Sequence, residues 1–123
     1  MTSSGEKKMK NNYYINFLNF VKALEPSVEI EQLDFTSKLI LDEIAMGVAN
    51  EKLMTVSEVM GLKNLGSPAT LHRKLNILLQ AELVHPIFIG NNRRTKYMAL
   101  TKKGEMYFAR LSQAMKSVQI LNG

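Results

Sequence analysis

The sequence contains no cysteine and no tryptophan, has three prolines in 123 residues, and holds no apolar run near the roughly 18 residues a membrane span requires. Without cysteine there is no disulfide framework, thiol switch, cysteine nucleophile or cysteine-held zinc. The two histidines, His72 and His85, fall outside metal-binding spacings such as H-x-x-x-H, and no phosphate-cradling G-x-x-x-x-G-K-[ST] motif occurs. Asp42 and Glu43 are neighbours in a helical stretch and therefore point about 100° apart, which suits solvent better than shared acid–base work. Neither catalysis nor a cofactor is expected. The opening MTSSGEKKMKNN leads into a pattern interrupted by Asn16, Asn19 and Lys22 rather than into the apolar core of a signal peptide. A cytoplasmic chain with no membrane partner is the expectation.

Acid is the remaining scarcity, and it is uneven. Residues 1–62 carry six Lys/Arg against nine Asp/Glu, a balance of −3, whereas residues 63–123 carry ten against two, a balance of +8. Such a concentration attracts polyanions by counterion release, although a merely solvated basic surface has the same composition. At 46% hydrophobic and 22% charged, the chain otherwise has the make-up of one soluble domain able to bury a core.

Residues 1–11 read as a disordered tail, followed by a single domain over 12–123. Tyr13, Tyr14, Phe17, Leu18, Val21 and Leu24 keep helical spacing up to Glu25-Pro26, giving a helix over 12–25 with an aromatic stripe. Residues 27–33 form an acidic, partly helical connector. A second helix over 35–49 places Phe35, Leu39, Ile40, Ile44 and Val48 on one side, with Leu41, Ala45 and Met46 widening the arc, so it is expected at the centre of the core. Leu53-Met54 can add a short strand. Thr55-Val56-Ser57-Glu58 has the form of a capping box opening a short helix with Val59, Met60 and Leu62 inward, which the stretch from Gly61 to Gly66 ends.

Ser67-Pro68 starts the next helix sharply, the serine capping free N–H groups and the proline supplying a preset φ. Leu71, Leu75, Leu78 and Leu79 gather into one inward stripe. The opposite face carries Ala69, Arg73 and Ile77, with Thr70 and Asn76 beside them and His72 and Lys74 on the flanks. Two helices joined by a short glycine-containing turn form a helix-turn-helix, whose second helix enters the major groove of DNA. After Gln80 the period becomes alternating. Val84, Ile87 and Ile89 precede a Gly90-Asn91-Asn92 turn, and Tyr97, Met98 and Leu100 follow it. Pro86 marks an edge strand. Arg93, Arg94 and Lys96 make the tip a basic finger suited to phosphates or the minor groove, or simply to keeping an edge soluble. Thr101 can cap a last helix over 102–121, with Met106, Ala109 or Arg110, Leu111, Ala114, Met115, Val118 and Leu121 in a long apolar band.

This order of elements resembles the winged-helix regulators of the MarR (multiple antibiotic resistance regulator) type. The run TVSEVMGLKNLGSPATLHRKLNILLQAELV and the stretch KYMALTKKGEMYF, with L-T-x-x-G at Leu100, Thr101 and Gly104, carry the resemblance over about residues 34–110. It implies an α+β fold, mainly α with a small β-hairpin: a winged helix-turn-helix core at 35–101, with dimerisation helices at 12–25 and 102–121. It implies a transcriptional regulator that binds an inverted-repeat duplex operator as a homodimer. Ser67, Ala69, Thr70, Arg73, Lys74, Asn76 and Ile77 would then contact the major groove, and Arg93, Arg94 and Lys96 the minor groove or backbone. Tyr13, Tyr14, Phe17, Leu18, Val21, Leu111, Met115 and Val118 would form the dimer interface. No particular effector follows from it. A winged-helix adaptor module within a nucleoprotein or replication complex is the alternative reading of the same elements.

Overall fold

The computed structural model describes residues 9–23 and 33–122, with side chains through Val118. Most of the expected tail and of the connector expected over 27–33 lie outside the described residues, as do Leu24 and the Leu121 side chain; Leu33 is described and buried. The elements in order are α1 (Tyr13–Ala23), α2 (Phe35–Ala49), β1 (Met54–Thr55), α3 (Val56–Met60), a 3₁₀ turn (Lys63–Leu65), α4 (Pro68–Gln80), β2 (Val84–Ile89), β3 (Asn92–Leu100) and α5 (Lys102–Asn122). Among the described residues, 33–105 belong to one compact unit, and 9–23 with 106–122 to a second.

In the first unit, α2, α3, α4 and the sheet enclose a core of Ile40, Leu41, Ile44, Val59, Leu71, Leu75, Leu78, Leu83, Val84 and Met98. Asp34 caps α2 by accepting the Ser37 N–H at 2.7 Å. The buried stripe of α2 is Ser37, Ile40, Leu41 and Ile44. This corrects the expectation for Phe35, which is 75% exposed, and for Met46, which is 50% exposed. At about 100° per residue Phe35 stands about 180° from Ile44, and the small Ser37 takes the inward position of the first turn.

Two helices end in the same way. At the end of α2 the Glu51 N–H bonds to the Val48 carbonyl and the Lys52 N–H to the Gly47 carbonyl, with Glu51 at φ +56. At the end of α4 the Glu82 N–H bonds to the Leu79 carbonyl and the Leu83 N–H to the Leu78 carbonyl, with Glu82 at φ +59. Each is a Schellman motif with a glutamate at the left-handed position that glycine usually fills. In the second, Leu83 and Leu78 supply the apolar pair that accompanies the turn, both fully buried.

The sheet has the order β1-β3-β2, all antiparallel, so β2 with Pro86 is an edge strand as expected. The short strand is Met54–Thr55, one residue later than the sequence suggested, and pairs Met54 with Met98 and Thr55 with Tyr97. Thr101 then joins the end of α4 to the start of α5. Its N–H bonds to the Leu83 carbonyl at 3.0 Å, its hydroxyl donates to the Glu82 carbonyl at 2.6 Å, and the same oxygen accepts the Gly104 N–H at 3.0 Å. Lys103 Nζ donates to the Ala81 carbonyl at 3.0 Å. A Cβ at position 104 would collide with the Leu83 carbonyl oxygen, which accounts for the glycine of the L-T-x-x-G run.

In the second unit, Asn12 Oδ1 accepts the Ile15 N–H at 3.0 Å and caps α1. Ala114 and Val118 on α5 are buried. Val118, expected on a surface for a second copy, is thus already enclosed within its own chain. Tyr13, Tyr14 and Leu18 on α1, and Met106 and Met115 on α5, are exposed. Phe17, Val21 and Leu111 are half-buried.

Candidate functional site

The helix-turn-helix begins at Thr55. Its hydroxyl accepts the Glu58 N–H at 3.0 Å while the Glu58 carboxylate accepts the Thr55 N–H at 2.9 Å, completing the expected capping box. The hydrogen bond from the Thr55 N–H, with the Thr55 hydroxyl beside it, holds the Glu58 carboxyl below its ordinary pKa. Helix α3 ends after Met60, and the 3₁₀ turn leads to Gly66 at φ +152, a region open almost only to glycine. Ser67 then caps α4. Its hydroxyl accepts the Thr70 N–H at 3.2 Å and donates to the Thr70 hydroxyl at 3.1 Å.

Leu71, Leu75 and Leu78 turn inward, and Ala69, His72, Arg73, Asn76 and Gln80 are exposed. The outward stripe is therefore rotated slightly from the expected one. Ile77 and Thr70 are half-buried, and His72 stands in the exposed row. Asn76 Nδ2 lies 3.4 Å from His72 Nδ1; with the amide donating, the imidazole keeps its Nε2–H for an outside acceptor. The apolar stripe alone centres the outer face on Arg73 and so places His72 on the flank; its spacing of four from Asn76 is the signal that links the pair. Lys74 departs further from the expected pattern. Its ammonium lies 2.5 Å from the Asp34 carboxylate, so one of the two cations of α4 is engaged within the chain. Arg73 remains exposed at the middle of the stripe.

The wing tip departs from a regular ladder. Ile87 pairs with Tyr97 and Ile89 with Asn92, so the single residue Phe88 on β2 faces Arg93 to Lys96 on β3. The basic run is bulged out of the sheet. A bulge breaks side-chain alternation and bends the strand, and Arg93, Arg94 and Lys96 are all exposed as a result. Two contacts shape the bulge. Asn92 Oδ1 accepts the Arg94 N–H at 2.9 Å, and the Arg93 guanidinium carbon lies over the Phe88 ring, 5.4 Å from its centroid. Ile89, the last apolar residue before the turn, is 50% exposed beside the two-residue Gly90-Asn91 turn.

Among the described residues there is no group of three or more His, Asp or Glu able to hold a metal, and no helix long and apolar enough to cross a membrane. What the first unit presents is a capped helix with an exposed polar and basic row, followed by a bulged basic hairpin. No protein-family model and no curated protein matches the sequence. Solved structures do match the fold. The chain is similar to a MarR-like transcriptional regulator from Thermotoga maritima, with 18% identity and a TM-score of 0.66 over 97% of this chain and 79% of that one. It is also similar to RV1404 from Mycobacterium tuberculosis, with 16% identity and a TM-score of 0.58 over 94% and 71% of the two chains. The YusO protein from Bacillus subtilis matches at 14% identity and a TM-score of 0.54, over 94% and 74%. The chain has the MarR-like winged-helix fold. In the terms of that winged helix, α3 and α4 are the helix-turn-helix pair and β2–β3 the wing. Ser67 caps α4, Ala69, Thr70, Arg73, Lys74, Asn76 and Ile77 lie on it, and Arg93, Arg94 and Lys96 lie in the wing bulge.

Proposed function

We propose that this protein is a sequence-specific, duplex-DNA-binding transcriptional regulator. In this reading α4 enters the major groove, and the wing bulge lays Arg93, Arg94 and Lys96 along the backbone or into the minor groove. The observation that carries it is the exposed row Ala69, His72, Arg73 and Asn76 on a helix with no acidic residue, on the same scaffold as a wing whose cations are bulged into solvent. The likeness of the fold to a MarR-like transcriptional regulator supports it. Arg73 can reach a guanine edge with two hydrogen bonds, Asn76 can do the same for adenine, and Ser67 and Thr70 suit a phosphate at the helix N-terminus.

The regulator acts as a homodimer in this proposal. Tyr13, Tyr14, Leu18 and Met115 are large apolar or aromatic side chains exposed on the unit that lies outside the helix-turn-helix. These side chains are the candidate two-fold interface, and a dimer that reads an inverted repeat presents its two copies of α4 one DNA turn, about 34 Å, apart. The test is selection of bound duplexes from a random pool by the purified protein. Enrichment of an inverted repeat is expected, with affinity falling about 10-fold or more for Arg73→Ala, a loss of roughly 1–3 kcal/mol from one bidentate contact. The double change Arg93→Ala with Arg94→Ala should weaken all duplexes alike and lower the salt dependence. Failure to enrich any sequence, with both variants binding like the wild type, overturns the proposal.

A further inference from the structure

The pair Asp34–Lys74 joins the cap of α2 to helix α4 across 40 positions of sequence. Both carboxylate oxygens of Asp34 are occupied: Oδ1 takes the Ser37 N–H at 2.7 Å and Oδ2 takes the Lys74 ammonium at 2.5 Å. The Lys74 side chain is 21% exposed and that of Asp34 40%, so the pair sits at the rim of the core where solvent, or a phosphate, can reach it. Helix α4 carries two cations, Arg73 and Lys74, and this contact engages one of them. A carboxylate oxygen and a phosphate oxygen are equivalent acceptors for an ammonium group, and lysine binds phosphate as a point charge without regard to base sequence.

From this geometry we infer that Asp34 is an internal competitor of the DNA backbone: it holds Lys74 off phosphate and so lowers non-specific affinity, leaving Arg73 as the cation of α4 that reads. The inference rests on the DNA-binding reading above. Asp34 is a specificity-setting residue that acts through Lys74. Burial raises its carboxyl pKa, but the Lys74 and Ser37 hydrogen bonds outweigh that and keep it ionised at neutral pH.

Asp34→Asn is the informative variant, because asparagine is as good an N-cap as aspartate and keeps the acceptor for Ser37 while removing the charge that holds Lys74. Asp34→Ser serves the same purpose should the first variant fold poorly, and thermal melts check both. The measurement is the slope of log K against log salt for a duplex of random sequence. Releasing one lysine to a phosphate steepens that slope by about 0.9. We expect this steepening in Asp34→Asn, no change in slope for Lys74→Gln alone, and the wild-type slope again in the double variant. The ratio of operator to random-duplex affinity should fall in Asp34→Asn. An unchanged slope in Asp34→Asn, or a slope reduced by about 0.9 in Lys74→Gln alone, overturns the inference while Arg73→Ala still reports DNA reading. A wild type with no salt-dependent duplex binding overturns the DNA-binding reading and this inference with it.

Discussion

At the scale of the residue, Glu82 and Asp34 hold their positions for opposite reasons. Glu82 sits at φ +59, where a Cβ crowds the backbone, and the strain is accepted because its carbonyl and the neighbouring Ala81 and Leu83 carbonyls are taken by Thr101 and Lys103. Replacing it with glycine removes the strain and leaves the backbone bonds in place, while the unfolded chain gains freedom that offsets part of the benefit. Glu82→Gly is therefore expected to stabilise the fold by about 0.5–1 kcal/mol, read as a rise of several degrees in the melting midpoint. Asp34, by contrast, is favoured where it is. Its folded carboxyl lies below the ordinary value of 3.8, since the Lys74 and Ser37 hydrogen bonds more than offset the burial that would raise it. A depressed folded pKa contributes stability that is complete above the ordinary value and is lost as pH falls through the folded one. The melting difference between wild type and Asp34→Asn should accordingly be constant near neutral pH and shrink on acidification below about pH 4. A difference that grows in acid would reverse that assignment.

At the scale of the element, the wing bulge sets how its cations are displayed. Phe88 faces four residues of β3, and its ring lies beneath Arg93, restricting a long side chain that would otherwise sample many rotamers. An arginine over a ring keeps its N–H edge for hydrogen bonding. Phe88→Leu retains a strand residue and removes the ring, so it should lower stability by about 0.5–1 kcal/mol, the worth of an exposed cation–π contact, and weaken duplex binding by roughly two- to fivefold, because an arginine no longer held by the ring has to be ordered on binding. Equal binding by wild type and variant in a titration would show that the ring does not orient the arginine. What the sequence made legible here follows the range of the interaction. Caps at Thr55 and Ser67 and the leucine stripe of α4 depend on spacings of three and four residues; both caps and Leu71, Leu75 and Leu78 take the expected places, while Leu79 is half-buried at the edge of the stripe. The two Schellman ends were hidden because glutamate stands where glycine would signal them. Phe35 was misplaced because a wide apolar arc does not fix the helix phase, which is decided by what α2 packs against. The bulge and the Asp34–Lys74 pair depend on strand register and on residues brought together only by the fold, and no local pattern announces either.

At the scale of the whole molecule, charge and apolar surface are divided between different parts of the chain. Residues 63–105, in the unit of the helix-turn-helix and the wing, carry eight Lys/Arg against two Asp/Glu, an excess that draws a polyanion, whereas Tyr13, Tyr14, Leu18 and Met115 leave apolar surface exposed in the unit of residues 9–23 and 106–122. An isologous interface counts every change twice, because each residue meets the partner from both copies. Met115 is 55% exposed, so in the proposed dimer about half of its side chain would be buried by the second copy. Burying a whole methionine is worth roughly 1.5–3 kcal/mol, so half of one, in both protomers, contributes about 1.5–3 kcal/mol to pairing. A glutamate at that position forfeits this and adds the cost of two charges brought into an apolar seam. Met115→Glu is expected to weaken the dimer by more than 10-fold, since each 1.4 kcal/mol is a factor of ten, as measured by sedimentation across a concentration series. Operator affinity should fall with it, whereas binding of a single half-site should be preserved, because α4 and the wing lie in the other compact unit. A variant that remains dimeric at the wild-type concentration would place the interface elsewhere on the chain.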